Sequence, residues 1–354
     1  MKLIFKIILV MPLLTLLLVS CDKNIDPING DYQSGVLIIN EGNFSTSNGD
    51  ITYYNSSTGI NEPAIFRKVN GSFAGKVLQS LTLDGDVAYL VLNGDNKVQV
   101  VNSNTLKLTN TLSDELLVNP RYLQIVNGKA YISTWGSFDQ NFSLSKSYLI
   151  VMDTKTLQRV DTIGTGVGVE NLLYNGKYIF ASDNNFGGSN TLSVIDPTTN
   201  TRIKKIQLAN GPAGLVVDAN NKLWIIATGT YTGNNGKIFR VNPSSFVIEQ
   251  IIELGKNPNS DLAISPDKKS LYYSIGKQIY KMSIDATNAP TTSFINATDV
   301  VALYSFNVDP KSGDLYVGDA LNYAVDGLAY IYQQDGSFKL KITTGINPTQ
   351  FIFK

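Results

Sequence analysis

The chain contains no histidine and only one cysteine, Cys21, in 354 residues. Without histidine there is no Ser-His-Asp or Cys-His relay, no histidine general base and no imidazole-ligated metal. A lone cysteine excludes disulfides within the chain and cysteine-built zinc sites. Charge is also scarce. Only 16% of residues are Asp, Glu, Lys or Arg, against roughly 25% in an average soluble domain. The 29 basic and 29 acidic residues cancel, so the basic surplus expected of a nucleic-acid binder is missing. Past the N-terminus no segment approaches the roughly 20 apolar residues that a membrane-spanning helix needs. Helical periodicity is short as well, with no stretch beyond about 11 residues sustaining it.

What is present begins with an address. Lys2 and Lys6 lead into an almost continuous apolar run from Ile7 to Val19, which ends in Leu18-Val19-Ser20-Cys21. The run has the length of a signal-peptide core and is short for a membrane span. Its end resembles a bacterial lipobox, in which the signal is cut before a cysteine that carries a lipid. The resemblance implies a signal peptide over residues 1–20 and lipidation of Cys21. Residues 21–34, polar and containing Pro27 and Gly30, then form a tether, and residues 35–354 the folded domain. Loss of the signal leaves 27 basic against 29 acidic residues, a net charge of −2. Acyl chains on one residue anchor a protein to a membrane without spanning it.

The rest of the chain repeats. A short apolar strand centred on Tyr89, Tyr131, Ile179, Trp224, Tyr272 and Tyr316 recurs at steps of 42, 48, 45, 48 and 44 residues. An alternating strand follows, ending in Asn55, Asn102, Asp153, Asp196 or Asn242. These Asx side chains suit the turn that comes next. A third column, Pro120, Pro212, Pro258 and Pro348, opens the following unit. Repeats of 40 to 50 residues with four short strands each predict an all-β fold, a β-propeller of four-stranded antiparallel blades. From Val36 to Lys354 there are 319 residues, room for about seven blades at roughly 46 residues apiece. Val36–Ile39 reads as a second strand, and Thr349–Phe353 as a first strand whose remainder is missing. The C-terminal strand is therefore expected to close the ring in the N-terminal blade and to remove two free sheet edges.

The repeat resembles that of the YncE-like propellers, a seven-bladed group within the YVTN and NHL-type propellers. The opening Val36-Leu37-Ile38-Ile39-Asn40-Glu41-Gly42-Asn43-Phe44, with Gly49-Asp50-Ile51-Thr52-Tyr53-Tyr54 after it, is similar to surface lipoproteins of Bacteroidota. That group includes surface corrinoid-binding propellers that sit on a TonB-dependent transporter. The resemblance implies an outer-membrane, cell-surface location, a vitamin B12-type ligand and a transporter partner.

In such a blade, the loops between second and third strands share a face with the loops that lead into the next first strand. The former carry Phe44, Trp135, Phe138, Phe142, Phe186, Tyr231 and Tyr323, beside Asn40, Glu41, Asn184 and Asp319. The latter contribute Arg121, Tyr122, Glu170, Asn171 and Asn257. Aromatic platforms with a few orienting polar groups compose a typical small-ligand site. Trp135, Phe44, Phe186 and Tyr231 are the expected stacking surfaces, and Arg121, Asn171 and Asn184 the expected anchors. Gly164-Thr165-Gly166-Val167-Gly168 imitates a nucleotide loop but precedes a strand rather than a helix. Asp309-Pro310-Lys311-Ser312-Gly313-Asp314 imitates a calcium loop but matches simple turns elsewhere in the repeat. No cofactor and no metal are expected.

Three functions fit. The leading one is non-catalytic capture of a small ligand, a corrinoid in the specific case, for a TonB-dependent transporter. The second is an adhesion or scaffold propeller that binds a glycan or a protein. The third is a carboxylate-based hydrolase or lyase using a pair drawn from Glu41, Glu170, Asp183 and Asp319.

Overall fold

The computed structural model describes residues 32–354. The signal segment 1–20, Cys21 and the tether as far as residue 31 lie outside the described residues. Seven four-stranded antiparallel sheets form the blades of a propeller. Blade 3 shows the pattern, with Pro120–Val126 innermost, then Lys129–Thr134, Tyr148–Asp153 and, outermost, Arg159–Gly164. Blade 1 takes its inner strand from the other end of the chain. Pro348–Phe353 lies beside Val36–Asn40, which leads to Asp50–Asn55 and Ile60–Glu62. The pairing Val36↔Phe353 and Ile38↔Phe351 is the expected closure.

The repeat columns map onto the strands as the periodicity predicts. Tyr89, Tyr131, Ile179, Trp224, Tyr272 and Tyr316 each stand on the second strand of a blade and are buried. These strands read as unbroken apolar runs because neighbouring blades cover both of their faces; every residue of Leu223–Ala227 is buried. Outer strands read the opposite way. Thr201–Gln207 exposes all of its residues except Ile206, and Arg202, Lys204 and Lys205 protect that edge from pairing with another chain. The Asx column caps the turns between third and outer strands. Asn55, Asn102, Asp153, Asp196 and Asn242 each accept the backbone N–H two residues on, at 2.8–3.0 Å. Asp309 does the same with Lys311 at 2.8 Å, so its segment is a turn.

The antiparallel register fixes two opposite faces. Asn40 pairs with Asp50 and Val36 with Tyr54, so the loop between second and third strands leaves at one end of the blade. The chain comes in at the other end. There Tyr32 is buried, with its N–H 2.9 Å from the Asn104 carbonyl and its ring edge-on to Tyr53 at 5.0 Å. The single α-helix among the described residues, Ile65–Asn70, spans six residues. No described helix is long and apolar enough to cross a membrane.

Candidate functional site

Six of the seven inner strands bulge as they approach the loop face. In blade 2, Leu78 faces Leu92 and Ser80 faces Val91, which leaves Gln79 as the extra residue. Tyr304 is the extra residue of blade 7. In blade 3, Pro120 faces Thr134 and Leu123 faces Ile132, so Arg121 and Tyr122 share one position; Glu170 and Asn171 do so in blade 4. A bulge re-aims a side chain and frees backbone groups from the ladder. Serines of the second strands take up those groups. The Tyr122 N–H donates to Ser133 Oγ at 2.9 Å and the Asn171 N–H to Ser182 Oγ at 3.1 Å. A small hydroxyl residue inside an otherwise apolar strand thus serves the geometry of the site.

The bulge residues converge around Arg121. Its Nε donates to Glu170 Oε2 at 3.0 Å, and its Nη1 donates to the Gln79 side-chain carbonyl. Its guanidinium carbon lies 4.1 Å from the centre of the Trp135 ring. Burial opposes the charge of Arg121, but the adjacent Glu170 holds it above its ordinary value. Burial also pushes the Glu170 carboxyl up, with the adjacent Arg121 holding it down in part. Across the mouth of the channel the Tyr304 hydroxyl donates to Glu41. Burial raises the Glu41 carboxyl as well, offset in part by that bond.

Below this cluster lies a polar cavity of about 160 Å³ on the propeller axis, lined among others by Tyr122, Asn171, Asp261, Asn307 and Gln350. Burial lifts the Asp261 carboxyl to about 7, and only the Phe306 N–H, at 2.9 Å, works against it.

Above the cluster the aromatic side chains spread onto the loop face. Trp135 is buried, with 8% of its surface accessible, so the expectation of an open stacking platform there is corrected. It is instead the base of the face, with Phe186 edge-on at 5.0 Å and Phe138 edge-on at 6.1 Å. Phe186 is 66% exposed, Phe44 81% and Tyr231 96%. Phe142 and Tyr323 are also exposed, and Tyr323 meets Tyr304 edge-on at 5.9 Å. Phe186 and Tyr323 hold left-handed backbone angles, φ +53° and +63°. Such angles cost a bulky residue on the order of 1 kcal/mol and concentrate at functional sites. Gly187, at φ +82°, carries the Phe186 turn past blade 5, where a Cβ would stand 2.6 Å from the Gly229 carbonyl oxygen.

Several residues expected in the site spend their polar atoms on the backbone. Asn40 is buried and donates to the Ile38 carbonyl at 3.3 Å as well as to Thr52 Oγ1 at 2.9 Å. Asn184 donates to the Pro212 carbonyl at 3.2 Å and accepts from the Gly187 N–H. Asn257 donates to the Thr230 carbonyl at 2.7 Å. Asp319 is buried and accepts the N–H groups of Val301, Ala302 and Leu321 at 2.8–2.9 Å. These four hold the loops in shape. Asp183 is buried beneath Thr191 and Ser193. Of the four carboxylates considered for catalysis, this leaves Glu41 and Glu170 in the cluster around Arg121. Arg121, Tyr122, Glu170 and Asn171 lie on the inner strands rather than in loops. Tyr122 and Asn171 line the axial cavity rather than the open face.

Gln79, Tyr304 and Asp261 were not anticipated. Gln79 and Tyr304 directly follow Leu78 and Leu303, the positions that Pro120 occupies in blade 3. Aligning the units on their first strands would have revealed them.

A family model described as a domain of unknown function, DUF5074, matches residues 34–346. The chain belongs to the DUF5074 family. Among solved structures it is similar to a quinoprotein alcohol dehydrogenase-like protein from Bacteroides thetaiotaomicron, with TM-score 0.69 and 16% identity over 92% of this chain and 79% of that one. A 6-phosphogluconolactonase candidate from Bacteroides fragilis gives TM-score 0.66 and 16% identity over 92% of this chain and 99% of that one. Hydrazine synthase from Kuenenia stuttgartiensis gives TM-score 0.57 and 15% identity over 76% and 87%. At such identities the likeness is one of fold alone. A search of curated proteins finds no match.

Proposed function

We propose that this DUF5074 propeller is a non-catalytic recognition module that captures a small, flat, ring-bearing ligand on its loop face. One continuity carries the reading. Phe186 is exposed and packs edge-on against Trp135, and Trp135 lies on Arg121, which is fixed by Glu170 and Gln79. A ligand ring on Phe186 would rest on an aromatic support that leads directly to fixed polar groups. Flat aromatic side chains bury area while freezing only two torsions each.

Two acidic residues, Glu41 and Glu170, face the one cation Arg121 in this cluster. The centre therefore suits a neutral ligand rich in hydrogen-bond donors rather than an anion. A corrinoid, a broad ring fringed with amides, is the specific case, in keeping with the YncE-like and surface-lipoprotein resemblance of Asn40–Phe44. Capture followed by release to a TonB-dependent transporter needs no bond to break, so the missing histidine is no handicap. The chain comes in on the face opposite the loops. A lipid at Cys21 would then leave the loop face free on the cell surface.

A thermal-shift screen of the full chain with cobalamin and with a panel of neutral glycans tests the reading. A ligand at 100 times its Kd stabilises the fold by about 2.7 kcal/mol, which a melting curve resolves. A shift with a glycan and none with cobalamin would replace the corrinoid by a sugar. No shift with any probe would remove the small-ligand reading and leave a protein scaffold.

A further inference from the structure

Asp261 is placed where a carboxylate is costly. It stands just before the inner strand of blade 6, Leu262–Ile264, and faces the axial cavity. Its Oδ2 accepts one backbone N–H, that of Phe306. Among the described residues no lysine or arginine forms an ion pair with it. Arg121, the cation of the cluster above the cavity, is committed to Glu170 and Gln79. Asp261 is partly buried, and a carboxylate shielded from water is normally paired or bound to a metal, because an isolated one loses hydration without return.

The rest of the cavity is built from neutral oxygen-bearing groups. Asn171 presents an amide and Tyr122 a hydroxyl, and neither side-chain group is used in a hydrogen bond among the described residues. Gln350 and Asn307 are held in place. Gln350 Oε1 accepts the Leu81 N–H at 2.8 Å, and Asn307 Nδ2 donates to the Phe351 carbonyl at 3.3 Å. A volume of about 160 Å³ accommodates a cation with several waters, each of which takes about 30 Å³ in the liquid. Hard cations take six to eight oxygen ligands from carboxylates, amide carbonyls and water. One carboxylate, neutral oxygens and space for water fit that chemistry, whereas zinc, which favours nitrogen and sulfur, is not served.

We infer that the axial cavity is a binding site for one hard, oxygen-seeking metal cation, with Asp261 as its charged ligand and Asn171 as a neutral one. The inference is independent of what the loop face binds. A single carboxylate sets the affinity at the weak end of calcium sites, with Kd on the order of 10⁻⁴–10⁻³ M. Six inner strands meet around the cavity with residues that line it, so a bound cation would tie blades that are remote in sequence.

The test is calorimetric titration of the full chain with calcium, and separately with magnesium, sodium and potassium, after exhaustive dialysis against chelator. The expected result is one calcium per chain, at least tenfold weaker binding in Asp261→Asn and a smaller loss in Asn171→Ala. Tyr122 should sensitise terbium luminescence, and added calcium should quench that signal. If Asp261→Asn fails to fold, Asn171→Ala and terbium displacement still decide. A single site for magnesium, sodium or potassium in place of calcium would keep the site and reassign the ion. No stoichiometric binding of any of the four at 10-fold above the expected range, or binding unaltered in both variants, would overturn the inference.

Discussion

Arg121 and Trp135 are stacked, with the guanidinium carbon 4.1 Å from the ring centre, and this contact joins the channel mouth to the loop face. Beneath the indole, Arg121 is held by Glu170 and Gln79; above it lie Phe138 and Phe186. A cation on an aromatic face is worth about 2 kcal/mol when desolvated. Trp135 is therefore part of the structure first, and it reaches the proposed recognition surface through Phe186.

The first prediction follows from that position. Trp135→Ala should destabilise the fold by about 3–5 kcal/mol, as for other buried aromatics, and release Arg121. Urea unfolding of the variant measures the loss. A midpoint equal to that of the wild type would show that Trp135 is not the base of the loop face.

Exposed aromatics should behave in the opposite way. Phe186→Ala and Tyr231→Ala remove little buried area, so stability should change by less than about 0.5 kcal/mol. Their cost should fall on affinity instead, on the order of 1–3 kcal/mol for an interface anchor. Melting curves with and without ligand separate the two effects.

Ring closure carries the third prediction. Phe351 is buried between blades 1 and 7, with Tyr316 at 5.7 Å, and Pro348–Phe353 is the inner strand of blade 1. Each such apolar side chain contributes about 1.5–3 kcal/mol on burial. Deleting the strand also exposes the free edge of Val36–Asn40. Truncation before Pro348 should lower the melting temperature steeply or abolish the cooperative transition. Calorimetry that finds the full-length melting temperature would refute closure.

Asp183 sets a pH dependence. It is buried, and burial raises its carboxyl from an ordinary 3.8 to about 6, against the hydroxyls of Thr191 and Ser193. The folded state thus holds this proton more tightly than the unfolded chain does. Between about pH 4 and pH 6 the folded state binds more protons, so this group's contribution to stability falls as pH rises. Asp183→Asn should remove that decline and be more stable than the wild type at pH 7, by on the order of 2–3 kcal/mol. Urea midpoints at pH 4.5 and pH 7 check the slope; parallel curves for the two proteins would contradict it.

Much of the fold was legible in the sequence because its signals are local and repeated. The tyrosine-centred strands mark both-face burial, and the Asx residues mark turns that cap themselves. Closure was legible because Thr349–Phe353 and Val36–Ile39 are complementary halves of one unit. The site was less legible. A β-bulge leaves no fixed residue type, so Gln79, Arg121, Glu170 and Tyr304 look unrelated until their registers are known. Nor does sequence separate an exposed loop aromatic from a buried one. Trp135 and Phe186 occupy similar loops, yet only Phe186 faces solvent. For the same reason Asn184 and Asp319, which tie down loops, looked like ligand contacts.

We propose that this propeller recognises its ligand on the loop face, with Phe186 at its edge and Arg121 beneath. Calorimetric titration of the wild type and of Phe186→Ala with cobalamin, and with the glycans that pass the thermal screen, tests it most directly. The expected result is saturable one-to-one heat in the wild type and at least a tenfold loss of affinity in Phe186→Ala at an unchanged melting temperature. Binding of equal strength in both proteins would contradict it and move recognition to another surface.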